Sequence, residues 1–587
     1  MKLSTSRWSN TNGDMDGLLF FSQRLDEMLF DYTIDLYKVP VLNTHLLLRE
    51  YISVLNQVEI SNRYLPIILA EITSSLAKDP VVKKYWGNDN VVKSLDALKI
   101  LPDKAKAAMI EYLNHAFGDT RYLEWCCEYI KWIVTQNNQK EKIEQALKCF
   151  LPELIRKGYS SQYIYYFNRK CILQSDSPSI EAFIDRFDCQ KRKYKVYIAA
   201  EKWITTFEAL LSQRMDICFN DDGNYKKYKH DADRVVIHID DIEALDDNQA
   251  AQIAFERINL FLRFYTAVDN KDQPKFQNIA MVIENTAPTT PAFVSFAANE
   301  YSVIEGMHVD EASKYTESLI TDLITHARCA LERLAKAVDL HNNSLRSPDY
   351  SSGFLNLWSA LEVLSLKNIG SNDLEQVTGT LLPILQNKYF QSTVKDFMLK
   401  IKAALSIDEY RKLLADITDG EAEIDKMARF LFLKKFDSLR KDYAKMLTKF
   451  PVLRYRMHYL SEAAKEKKSL LSLSERYKER VEWHLSRIYR TRNSLVHSGS
   501  VPWSIRYLGE HLHFYVDLLM IESFEKLSCG VQFCELDNAL LDSLLACEIL
   551  KKQLNQKGEL SEEDIITLIH PIFTKQDKFE YTCDCES

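Results

Sequence analysis

Residues Glu475–Ser500 read ERYKERVEWHLSRIYRTRNSLVHSGS. Trp483, Ile488, Leu495 and Val496 supply apolar contacts along a helical run, and Ser-Gly-Ser stops it. On a helix, Arg490, Asn493 and His497 fall at i, i+3 and i+7 and share one stripe. Arg492 and His497 are five residues apart, about 140° around an ideal helix. Spacing alone does not make those two converge. A long arginine side chain, a distorted last turn or a second subunit would bring them together.

The rest of the chain supports a mainly helical fold. Gly 15 and Pro 14 are few for 587 residues, whereas Leu, Lys and Glu abound. That length implies two or three domains. Hydrophobic content of 46% with 27% charged residues suits a water-soluble protein. Net charge is −8, so nucleic acid would have to be met by local basic patches rather than a global field. There is no signal-peptide pattern and no run of about 18 apolar residues, so no membrane partner is expected. Twelve scattered cysteines then imply reduced thiols and a cytoplasmic location. Cys583 and Cys585 form a C-x-C without a second pair, too few ligands for a metal.

Residues 1–190 read as a helical N-terminal region, with TRYLEWCCEYIKWIVTQ and KEKIEQALKCFLPELIRKGY as amphipathic helices. Residues 191–305 form a small α+β domain: KYKVYIAAEKW, RVVIHIDDI, NIAMVIEN and PAFVSFAA are strands around the helix AAQIAFERINLFLRFYTAV. The tract NDDGNYKKYKHDADR reads as a hairpin or loop. Its Lys226, Lys227 and Lys229, like Lys191, Arg192 and Lys193, make a solvated surface more readily than a phosphate site. Residues 306–530 are helical with inserted helices, and 531–587 form a helical tail. Within 306–530, ESLITDLITHARCALERLAKAVDLHNN reads as one long helix ended by Asn342 and Asn343.

Chemically, the opening stretch has two readings. Histidine moves protons near neutral pH, and arginine offers a rigid fork of donors to a phosphate. RNA brings its own nucleophile, the 2′-hydroxyl, so a His and an Arg suffice for cleavage without a metal or cofactor. Yet a His and arginines in the last turns also suit the helix dipole. Neither a phosphate-binding G-x-x-x-x-G-K-[ST] nor a zinc-binding H-E-x-x-H occurs.

Two stretches together resemble a known family. YRTRNSLVHSG is similar to the R-x4-H motif of HEPN ribonucleases, with Arg492 and His497 in the matching places. Upstream, FLNLWSALEVL (Phe354–Leu364) resembles the earlier helix of that family, which often carries an acid facing the motif, here Glu362. The arrangement most resembles the ApeA-like HEPN proteins of bacterial anti-phage defence, over residues 315 to 530. The resemblance implies a C-terminal HEPN bundle and a metal-independent endoribonuclease acting on RNA, with tRNA as the expected substrate, in abortive infection. It implies that His497 is the acid or base, Arg492 binds the phosphate, Asn493 shapes the site and Glu362 orients Arg492. Arg487 and Arg490 would line the same cleft. A homodimer would bring two motifs together, and a phage-derived activator or an inhibitory partner would control it. His511 and His513 are more readily structural than part of the cleft. The alternative is a non-catalytic HEPN protein that binds a nucleotide or RNA, or serves as a scaffold.

Overall fold

The computed structural model describes residues 15–30, 42–56, 61–136, 138–219, 233–268, 274–285, 291–295, 309–347, 349–418, 420, 422–528, 533 and 535–570. The chain is mainly α-helical, with one five-stranded antiparallel sheet in its middle. It divides into two compact units, one of residues 1–150 with 299–587 and the other of 151–298.

In the first unit the helices that bear on the site are α1 (Asp16–Phe30), α2 (Thr44–Leu55), α3 (Ser61–Lys78), α4 (Arg328–Arg346), α5 (Tyr350–Leu364), α6 (Asp373–Ala404), α7 (Lys467–Ser498), α8 (Ile505–Ser528) and α9 (Leu536–Leu554). α7 forms because Leu470, Leu473, Tyr477, Val481, Leu485 and Ile488 recur at three- and four-residue spacing and are all buried. Gly499 ends it in the left-handed conformation (φ 64°), its N–H donating to the Leu495 carbonyl. α6 runs through the middle of the unit, where α7 and α9 pack against it. α5 packs on α4, α7 and α8, and α7 touches α8, so these four helices make one bundle. α5 starts with the Asp349 carboxylate accepting from the Ser352 N–H. Ser351–Gly353 therefore lie inside its first turn.

Three expectations differ from this fold. The long helix expected over 317–343 is two, Val309–His326 and Arg328–Arg346. The break falls at Ala327, whose φ of −129° and ψ of 39° are not helical. Alanine is the best helix former, so the surroundings of this fully buried residue must override its propensity. The N-terminal region is not a separate domain of 1–190, because its first 150 residues join the C-terminal helices. The tail expected over 531–587 is likewise no separate part, since α9 and the helix Glu562–Ile569 pack against α6. Residues 571–587, with Cys583 and Cys585, lie outside the described residues.

The second unit has strands β1 (Arg192–Glu201), β2 (Ile217–Cys218), β3 (Arg234–Ala244), β4 (Phe276–Glu284) and β5 (Ala292–Ser295), in the order β2-β3-β1-β4-β5. Tyr194, Val196, Ile198 and Ala200 alternate onto one face of β1 and share a core with Ala250, Ala254 and Ile258 of the helix Asp247–Val268. Residues 151–190 belong here because Ser160 N–H donates to the buried Asp246 carboxylate (2.7 Å) and Cys189 N–H to the Tyr159 hydroxyl (2.9 Å). Lys226, Lys227 and Lys229 lie outside the described residues. Arg192 is drawn to Asp188, and Lys193 stands 3.8 Å from Asp241.

Candidate functional site at the end of the long helix

The last four turns of α7 place the motif residues in two environments. Arg487 is almost fully buried. Its Nε and Nη2 donate to the two carboxylate oxygens of Glu50 at 2.8 and 2.9 Å, and Nη2 also reaches Glu71 at 2.5 Å. Arg490 donates to Glu50 as well and stands 6.0 Å from the Tyr64 ring. Glu50 belongs to α2, Glu71 and Tyr64 to α3. The two arginines expected to line a phosphate cleft instead anchor the N-terminal helices to α7. Arg487 is thus almost enclosed by these carboxylates rather than set in an open cleft.

Burial pushes the Glu50 carboxyl up, but Arg487 and Arg490 together outweigh burial and hold it down at about 2. Glu71 goes the other way: burial raises it, Arg487 opposes, and the neighbouring Glu50 charge adds to the rise. One guanidinium thus serves two carboxylates unequally. The depressed Glu50 contributes stability that is complete above its ordinary value of 4.5 and is lost as pH falls toward about 2. The raised Glu71 has the opposite sign and blunts that loss. The protection of amides in α2 and α3, corrected for the pH dependence of intrinsic exchange, is therefore expected to fall between pH 4.5 and about 2, and Glu50→Gln should flatten that dependence.

One turn further on, Arg492 is only partly covered. Its Nη1 donates to Asn493 Oδ1 at 3.1 Å, and its Nη2 stands 3.9 Å from Glu362 Oε1. Residues 130 positions apart in the chain thus face each other across α5 and α7. Glu362 is fixed by Trp358 Nε1–H, one turn earlier on α5, and the fully buried Trp358 ring meets Tyr489 at 5.2 Å. Burial raises the Glu362 pKa, while the Trp358 hydrogen bond and the Arg492 charge oppose it. At 3.9 Å the pair is an ion pair without a close hydrogen bond, so Arg492 is aligned but not locked.

His497 occupies the last turn of α7, exposed, with no hydrogen-bond partner among the described residues. Val496 is half exposed rather than a core contact, and Val501 and Trp503 are similarly open. Arg492, Asn493 and Glu362 are therefore gathered in one place, whereas His497 points from the same helix end into solvent. His511 and His513 are buried within the bundle, as structural histidines would be. His458 is exposed near Glu462, and the side chain of His326 lies outside the described residues.

The partners missed from sequence are Glu50, Glu71, Tyr64 and Trp358. Only Trp358 left a signal, its i, i+4 spacing to Glu362 in FLNLWSALEVL. Comparison with known protein families, curated proteins and solved structures finds no match.

Proposed function

We propose that the chain is a HEPN-type endoribonuclease that cuts RNA, with tRNA as its substrate, in anti-phage defence by abortive infection. The supporting observation is the facing of Arg492 and Glu362 across α5 and α7, with an exposed His497 on the same helix end. Glu362 keeps the guanidinium aimed, and Arg492 binds the scissile phosphate and stabilises charge on its oxygens. His497 takes the proton from the ribose 2′-hydroxyl, whose oxygen attacks phosphorus. The P–O5′ bond breaks, a second imidazole protonates the departing 5′-oxygen, and a 2′,3′-cyclic phosphate and a 5′-hydroxyl result. No metal or cofactor enters these steps.

A homodimer supplies the second His497 and brings one copy's histidine toward the other's arginine. The exposed Val496, Val501 and Trp503 beside His497 offer that contact apolar surface. A phage-derived activator or inhibitory partner would govern when cutting occurs. Anticodon loops present the unstacked nucleotides such a site needs, and tRNA places the enzyme in the cytoplasm. Among the described residues no helix is long and apolar enough to cross a membrane.

A second reading is a non-catalytic HEPN protein that binds RNA or a nucleotide, or acts as a scaffold. It is favoured by the neutralisation of Arg487 and Arg490, which leaves the helix end less basic than its sequence suggests. The test is expression of the wild type and an Arg492→Ala/His497→Ala chain with and without phage, followed by end-group analysis of total RNA. New 2′,3′-cyclic phosphate ends are expected from the wild type alone. Equal cleavage by both chains removes the catalytic assignment, and RNA binding without cleavage in both supports the second reading.

A further inference from the structure

We propose that His341, His513 and Asp517 form a site for one divalent transition-metal ion of the zinc class, tying α4 to α8. This site is separate from the RNA chemistry and stands whether or not the chain cleaves RNA. His513 and Asp517 are i and i+4 on α8, so they share the face turned toward His341 on α4. The three side chains are 14%, 6% and 9% exposed.

His341 Nε2 lies 2.8 Å from His513 Nε2 and 3.0 Å from Asp517 Oδ1. One donor atom from each residue falls within 4.8 Å of the other two. The two rings are nearly parallel (12°) with centroids 4.9 Å apart. A face-to-face stack would hold the nitrogens as far apart as the rings. The 2.8 Å approach means that they meet by their Nε2 edges, one ring donating an N–H to the other, with the tautomer deciding which. One N–H on His341 cannot point at both His513 and Asp517 with good geometry. A cation accepts all three at once. Zinc bonds of about 2.0–2.2 Å in tetrahedral array place donor atoms about 3.3 Å apart, so on binding the two Nε2 atoms part by about 0.5 Å, and the His513 ring, whose Nδ1 lies 3.5 Å from Asp517 Oδ2, turns to share the ion.

Two imidazoles and one carboxylate select a borderline ion such as zinc(II), cobalt(II) or iron(II) over magnesium or calcium. Three protein ligands leave a fourth position for water. Two other histidine clusters fit less well. His484 and His511 meet at 3.1 Å on another face of α8, but the Tyr515 hydroxyl beside them is no carboxylate. Cys218, His238 and Asp240 also converge in the sheet, yet Asp240 is half exposed and paired with Lys195 at 2.9 Å.

The experiment loads metal-stripped full-length chain with cobalt(II) and follows visible absorption and thermal melting. The expected result is about one equivalent bound, with tetrahedral d–d bands, no thiolate charge-transfer band and a raised melting temperature. His341→Gln and Asp517→Asn should each weaken cobalt binding by at least about 100-fold. Cys218→Ser should leave it unchanged. Circular dichroism of each variant keeps loss of metal distinct from loss of fold, and the wild-type spectrum stands without any variant. No bound equivalent in the folded wild type overturns the proposal. So does binding retained in folded His341→Gln, or a thiolate band that disappears with Cys218→Ser.

Discussion

Alanine in place of His497 is expected to slow RNA cleavage by about 10²- to 10⁴-fold, the usual contribution of a positioned acid or base. The fold should hardly notice. His497 is exposed and has no hydrogen-bond partner among the described residues, and the Gly499 cap closes the helix through backbone atoms alone. Loss of its favourable place near the helix C-terminus costs at most about 1 kcal/mol. Cleavage rate and melting temperature should therefore separate cleanly. In a dimer with crossed sites, mixing His497→Ala with Arg492→Ala chains should restore part of the activity that each lacks alone. A His497→Ala chain that cuts RNA at the wild-type rate would falsify the acid–base role.

Arg487→Ala is expected to do the opposite, lowering stability by about 3–5 kcal/mol through the loss of a buried charge that two carboxylates share. Glu50 and Glu71 would then face each other beneath α2 and α3 with Arg490 as the remaining cation. Urea unfolding of the whole chain measures the effect as a shift in midpoint. A quadruple variant, Arg487→Met and Arg490→Met with Glu50→Gln and Glu71→Gln, removes all four charges and should lose much less, because no uncompensated ion is left behind. If Arg487→Ala melts with the wild type, the ion cluster does not hold the N-terminal helices.

The elements themselves were legible where a period repeats. Tyr477, Val481, Leu485 and Ile488 announce α7, and the β-branched runs announce β1, β3 and β4. Within the site, Glu362 could be placed opposite Arg492 only through a resemblance, since nothing in their spacing links two residues 130 apart. The fates of Arg487 and Arg490 were not legible at all. A basic residue looks the same in sequence whether its partner is a phosphate or a carboxylate supplied some 440 residues earlier by α2. The same holds for His341 and His513, which meet across 172 positions. Domain limits failed for a related reason, because local texture marks where strands begin and not which helices share a core.

The order in which the chain is made gives the split first unit a further meaning. A ribosome that has passed residue 298 has produced the whole sheet-bearing unit but only the first 150 residues of the other. Glu50 and Glu71 must then wait for some 400 residues until Arg487 appears. These carboxylates are hydrated in the meantime, and closing that loop is a late and slow event in folding. Arg492 and His497 follow Arg487 within three turns of the same helix, so α2 and α3 can be seated at nearly the moment the motif is complete. Within each newly made copy, assembly of the first unit and maturation of the proposed RNA-cutting end are one event.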